Sequence, residues 1–191
     1  MRDEMKPEKV IEFLKITEKL KCNTRHSWTS TGRRESVAEH SFQLMVLAWS
    51  VKDEFPDIDM EKVMKMCLFH DFGEAITGDI PSFEKTTKDE KIEEEAVFKA
   101  LEILPEEQRK ELVTLFEEMN DLNTKEAKLY KALDKMEAVI QHNEASLETW
   151  LPLEYELQFT YGEKETQEFS YTRELKAYVN KMTEKKIKGS E

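Results

Sequence analysis

From Met60 onward the apolar residues recur at helical spacing, with Val63, Met66 and Cys67 on one stripe, and the run ends on two adjacent ionisable residues, His70 and Asp71. Lys62 and Lys65 fall on the opposite face, so His70 points inward with the stripe. This junction restricts the fold more than any other stretch: a helix has to bury its stripe, and an imidazole and a carboxylate arrive in the core with it. Leaving Asp71 buried and unpaired would cost several kcal/mol, and a cation is one way to remove that cost. A carboxylate that turns to solvent or caps the next turn is the other reading, and spacing alone leaves the two even.

The rest of the chain repeats the helical character. Glycine and proline number only five each among 191 residues, and Leu, Lys, Glu, Met and Ala fill long stretches, which favours helices and leaves little material for sheet turns. An all-α helical bundle is therefore expected, one domain over 1–191 with its core from about 7 to 180 and a frayed lysine-rich end. Pro7 to Leu20 reads as a first helix on the spacing of Val10, Ile11, Leu14 and Leu20. Lys21 to Arg34 reads as a loop, long enough to suggest function. Ser36 with Glu39 forms a capping box that opens a buried helix to Val51. Further helices are expected over Asp89–Leu104, Pro105–Asn120, Thr124–Ser146 and Glu165–Lys188, with Leu151 to Lys164 as an interruption.

A formal net charge of −12 speaks against nonspecific nucleic-acid binding and against anionic membrane surfaces, though not against a small anion in a local basic pocket. No apolar run approaches the roughly 20 residues of a membrane span, and the charged start lacks a signal-peptide core. Cys22 and Cys67 form no CxxC pair, so neither a disulfide framework nor a zinc ribbon is indicated. A cytoplasmic setting is the expectation.

Two further residues carry chemistry only in combination. His40 shares the inner face of its helix with Val37, Leu44 and Leu47, which by itself fits a core histidine satisfied by a hydrogen bond better than a ligand. Asp134 lies mid-helix with Lys131 three residues before it, which by itself fits a surface pair. Taken in order, however, "LKCNTRHSW", "RRESVAEHSF", "HDFGEAITGDIP" and "KALDKMEA" carry an H…HD…D pattern in a helical context. Together they resemble the HD-domain metal-dependent phosphohydrolases, and within them the 5′-deoxynucleotidase branch of YfbR-like and HD-domain-containing protein 2-like proteins. The resemblance extends over nearly the whole chain.

That resemblance implies a mononuclear site holding one divalent metal ion (Co, Mn, Fe, Ni, Zn or Mg) through His40, His70, Asp71 and Asp134, a donor set that does not choose among these ions. It implies catalytic roles for Glu74, directing water, and for Asp79, near the sugar and phosphate. It also implies substrate contacts from Arg25 as phosphate clamp, from Trp28 against the nucleoside and from Arg33, with Asp79 shared between both tasks. The bacterial pattern places its Arg and Trp side by side, whereas here His26 and Ser27 separate Arg25 from Trp28. His26 and His142 match no role.

The implied activity is removal of the 5′-phosphate from (deoxy)nucleoside monophosphates. A dNTP triphosphohydrolase is the first alternative, disfavoured because too few basic residues can be placed. A ppGpp-type hydrolase is disfavoured because this chain reads HDFGEA where such enzymes carry HDxxED. A noncatalytic, metal-stabilised interaction domain is the reading from another class, and Glu74 and Arg25 argue against it. Similar proteins form homodimers, and Trp150, Leu151, Leu153, Tyr155 and Phe159 offer either interface or core.

Overall fold

Helices form close to where periodicity places them in a computed structural model that describes residues 4–81 and 83–189. Ser82 and the chain ends lie outside the described residues, including the tip of the lysine-rich tail. The first helix, α1 (Pro7–Thr17), begins on Pro7, whose missing N–H is no loss in a first turn, and a short 3₁₀ turn at Glu18–Lys21 follows it. The face of α1 is not the expected one. Phe13 and Ile16 pack on the core, Phe13 stacking on Phe72 at 5.4 Å, while Val10, Ile11 and Leu14 are exposed. The helix carries two apolar stripes, and the one with the aromatic ring faces the core, partly buried.

The stretch expected as a loop contains a small antiparallel ribbon, β1 (Thr24–Trp28) and β2 (Arg34–Ser36), with Gly32 in its turn at φ 81°, a region that favours glycine. Asn23 anchors it: its amide donates to the Glu74 carbonyl at 2.5 Å, and its carbonyl accepts from Val37 N–H at 3.0 Å. The all-α reading holds with this two-stranded addition.

Three helices make the centre: α2 (Val37–Ser50), α3 (Met60–Phe69) and α7 (Lys125–Glu144), each packed on the other two. Leu44, Val63, Met66, Leu129, Leu133 and Met136 meet among them with no solvent exposure. Each such side chain contributes roughly 1.5–3 kcal/mol by leaving water. Around this centre lie α4 (Glu74–Thr77), α5 (Thr87–Leu101) and α6 (Glu106–Asp121), the last entered through Pro105.

The expected interruption after Leu151 holds two short helices, α8 (Glu154–Thr160) and α9 (Glu163–Thr166), separated at Gly162, where φ is 72°. The last helix, α10 (Ser170–Lys188), starts later than expected and ends at Lys188, where it was expected to end. Packing holds it in place: Val179 and Thr183 are buried, and Thr183 Oγ1 bonds with the Asn143 side chain. Trp150 completes the core, its indole N–H donating to the His142 carbonyl at 3.2 Å, whereas Leu151, Leu153 and Tyr155 stay exposed. Among the described residues no helix is long and apolar enough to cross a membrane.

Candidate metal centre and cleft

Each central helix delivers one part of a single cluster. Ser36 caps α2 by accepting from Glu39 N–H at 3.2 Å, which sets the register that turns His40 inward to zero exposure. His70 ends α3, its N–H bonded to the Met66 carbonyl, and Asp71 follows as the chain leaves the helix. Asp134 comes from the middle of α7.

The four side chains meet. His40 Nε2 lies 3.2 Å from both His70 Nε2 and Asp134 Oδ1, and Asp71 Oδ2 lies 3.0 Å from His70 Nε2 and 3.9 Å from His40 Nε2. One donor atom from each of His40, His70 and Asp71 falls within 4.8 Å of the others, and Asp134 Oδ1 joins at 3.6 Å from His70 Nε2. Both imidazoles present Nε2 to the centre because Nδ1 is engaged elsewhere: on His70 by the Cys67 carbonyl at 2.9 Å, on His40 by the Glu137 carboxylate. Two nitrogens and two carboxylate oxygens converging on one buried point fit a divalent cation.

The electrostatics follow from this crowding. Burial raises the Asp71 carboxyl, but His70, then His40 and Arg25, outweigh it and hold it well below the usual carboxylate range. Burial likewise raises Asp134, and Lys131 with His40 overcomes it. Burial and the Arg25 charge depress His40, yet Glu137 and Asp134 carry it up to about 10. At Glu74 burial, then the charges of Asp71 and Asp79, outweigh the opposing charge of Arg25 and push the carboxyl up to about 10. Its Oε2 is buried with no hydrogen-bond partner among the described residues.

A cleft of about 370 Å³ opens from this cluster, within the roughly 300–1,000 Å³ usual for small-molecule sites. Arg25, Asp71, Glu74 and Asp79 line one end, and Leu157, Gln158 and Tyr161 line it elsewhere. Arg25 is drawn between two acids, Nη1 at 3.3 Å from Asp71 Oδ2 and Nε at 3.5 Å from Glu35 Oε2. Burial raises the Asp79 carboxyl, with Arg25 opposing it.

Two expected substrate residues are not brought to the cleft. Arg33 stays on the exposed side of the ribbon, making two hydrogen bonds to the capping Glu39 at 3.0 and 2.7 Å. Trp28 is not among the lining residues; its ring lies under the Arg34 guanidinium at 5.0 Å and its carbonyl accepts from Gln141.

Other residues arrive that spacing did not single out. Lys85, Lys131 and Lys135 line the cleft, paired with Glu93, with Asp134 and with the Tyr161 hydroxyl respectively. His26 and His142 also line it, facing opposite oxygens of Glu154 at 3.2 and 3.5 Å. Glu137 had a signal in the sequence: it interrupts the stripe Leu133, Met136, Ile140 one turn beyond Asp134. Nothing in the spacing marked Glu35, because its partner Arg25 belongs to the neighbouring strand.

The comparisons with known proteins agree with this geometry. The HD-domain family model matches residues 17–176. The 5′-deoxynucleotidase HDDC2 of Homo sapiens is 35% identical over 139 residues, spanning 71% of this chain and 67% of that protein. The 5′-deoxynucleotidase hdd1 of Schizosaccharomyces pombe is 32% identical over 174 residues, spanning 87% and 81%. A crystal structure of a predicted metal-dependent phosphohydrolase from Magnetospirillum magnetotacticum shares the fold, with a TM-score of 0.78 at 24% identity over 97% of this chain and 94% of that one. Central helices that converge two histidines and two aspartates, a matching family model over most of the length and relatives of this kind lead to one conclusion: the chain belongs to the HD-domain family, in its 5′-deoxynucleotidase branch.

Proposed function

We propose that this protein hydrolyses the 5′-phosphate ester of deoxynucleoside monophosphates, giving nucleoside and inorganic phosphate. One observation carries the reading: Asp71 and Asp134 of the four-donor cluster, the Arg25 guanidinium and Glu74, whose Oε2 has no partner among the described residues, all line one cleft of about 370 Å³. His40, His70, Asp71 and Asp134 would hold one divalent cation, which when bound supplies Lewis-acid charge and an acidified water. Glu74 orients the attacking water and takes its proton in its ionised form, which the charge of a cation held by the four donors would restore against the burial that raises its carboxyl. Arg25, released from Asp71 toward the substrate, grips two phosphate oxygens and offsets the charge that develops on them. Asp79 faces the sugar and the leaving 5′-oxygen. The bond between phosphorus and that oxygen breaks as the water oxygen bonds to phosphorus. Asp79 supplies the proton the leaving oxygen requires and is reprotonated from solvent, to which Glu74 returns the proton it took from the water.

The relatives named as 5′-deoxynucleotidases support the substrate class. A cytoplasmic setting and a homodimer joined through the exposed Leu151, Leu153 and Tyr155 belong to the same proposal. A second reading gains from the cleft lysines. Too few basic residues had counted against a nucleoside triphosphate, and Lys85, Lys131 and Lys135 now weaken that objection, although each already has a partner.

The test is phosphate release from metal-stripped protein resupplied with Co, Mn, Mg, Ni or Zn, on a panel of dNMPs, NMPs, dNTPs and ppGpp. Metal-dependent release from monophosphates is expected, falling about 100- to 10,000-fold in Glu74→Gln, the range for loss of a general base. Cleavage of triphosphate or ppGpp alone would transfer the assignment to those substrates. Folded, metal-loaded protein inactive on the whole panel would favour a noncatalytic domain.

A further inference from the structure

His40 has no solvent exposure, and its two ring nitrogens serve opposite sides. Nε2 faces the cluster; Nδ1 faces away from it and meets Glu137 Oε2 in a short contact. Glu137 is only 2% exposed, and its other oxygen, Oε1, is buried without a hydrogen-bond partner among the described residues. A carboxylate so enclosed is costly unless a positive charge lies close on the side it does bond.

The companion imidazole lacks this arrangement. His70 Nδ1 meets a neutral acceptor, the Cys67 carbonyl at 2.9 Å. The two histidines of one cluster are thus supported differently, one by a dipole and one by a carboxylate. Glu137 cannot itself be a ligand in this geometry, because the ring of His40 stands between it and the point where the four donors meet. It lies three residues beyond Asp134 on the same face of α7, so one helix brings both a donor to the centre and a carboxylate behind another donor.

We propose that Glu137 is a positioning residue of the metal centre. It holds His40 as the tautomer protonated at Nδ1, which leaves Nε2 free to bind the cation, and its charge makes that nitrogen a stronger donor. The inference rests on reading the cluster as a metal centre, and it is tested on affinity for the ion rather than on hydrolysis.

Metal-stripped wild type, Glu137→Gln and Glu137→Asp are titrated calorimetrically with Mn²⁺ alone, with folding checked by circular dichroism. Gln keeps an acceptor for the Nδ1 proton but removes the charge; Asp keeps the charge but withdraws it by one methylene. Affinity is expected to fall about 10- to 100-fold in Glu137→Gln, with partial recovery in Glu137→Asp. At saturating Mn²⁺, kcat for a deoxynucleoside monophosphate falls while KM stays unchanged. Folded Glu137→Gln that binds Mn²⁺ within about twofold of wild type overturns the proposal and leaves Glu137 as a buried tie between α2 and α7. If Glu137→Gln does not fold, Glu137→Asp decides: weaker binding supports the proposal, and wild-type binding overturns it. Absent hydrolysis with this order of affinities intact would defeat the proposed substrate and leave the positioning role standing.

Discussion

Gly73 stands between the His70–Asp71 pair and Glu74, and space rather than backbone conformation demands a glycine there. Its φ of −59° suits any residue, but an added Cβ would lie 2.3 Å from Glu93 Cγ and 3.0 Å from Val97 Cγ2. Gly73→Ala therefore has to move Glu93, which is ion-paired to Lys85 at the edge of the cleft. A destabilisation of about 1–3 kcal/mol is expected from such overpacking, measured by urea unfolding; an unchanged midpoint would mean that Glu93 swings aside freely. Single residues were unevenly legible in the sequence. His70 and Asp71 announced themselves because an apolar stripe ended on them. His40 and Asp134 did not, since a histidine or aspartate at helical spacing has a bland role, and only the order of four motifs raised them. Glu35 meets Arg25 across the ribbon and Glu137 meets His40 from another helix, and a period of 3.6 residues identifies a face without identifying what the face meets.

At the level of elements, the capping box of α2 is the feature best read in advance. Ser36 and Glu39 exchange both hydrogen bonds, and Arg33 adds two more to Glu39. Ser36→Ala is expected to cost about 1 kcal/mol and to loosen the turn that carries His40, seen as a lower unfolding midpoint. Hydrogen bonds from Arg33 and then from the Ser36 backbone bring the Glu39 carboxyl down to about 2. Its folded pKa thus lies below the unfolded value of about 4.3, so its contribution is complete above that value and is lost as pH falls toward 2. Glu39→Gln should flatten the loss of stability in that acid window and leave the slope above pH 5 unchanged; equal acid slopes in both proteins would contradict this. The ribbon and the two helices α8 and α9 were not legible in the same way. Thr24 to Trp28 has no alternation of apolar and polar residues, and Glu154 to Thr160 is too short for its pattern to stand out. Such short pieces form because the core holds their ends: Asn23 ties the ribbon to the Glu74 turn, and Gln158 donates to the Val139 carbonyl at 2.7 Å.

For the whole molecule, the dominant fact is an acidic chain, of net charge −12, that gathers Glu35, Asp71, Glu74, Asp79, Asp134 and Glu137 around two central imidazoles and one arginine. An ion bound only by the folded state stabilises it by mass action, about 2.7 kcal/mol at 100 times its dissociation constant. For a chain of this size that corresponds to a rise in Tm of roughly 5–11 °C. Stripping the metal should reverse the rise, followed by scanning calorimetry, and the shift should vanish in His40→Ala. A Tm indifferent to added ion in the folded wild type would remove the cluster from the account. The helical bundle itself was legible from composition and period, because the central helices carry apolar residues at helical spacing that have to be buried. Which faces would converge on one point was not, since that depends on how α2, α3 and α7 cross.

The most direct test of the central claim is anomalous scattering from crystals of the protein loaded with Mn²⁺ and a deoxynucleoside monophosphate, with Glu74→Gln used to slow turnover. One peak is expected within coordination distance of His40 Nε2, His70 Nε2 and single oxygens of Asp71 and Asp134, with the phosphate between that peak and Arg25. A peak held by other side chains, or a nucleotide whose phosphate lies away from Arg25, would contradict it.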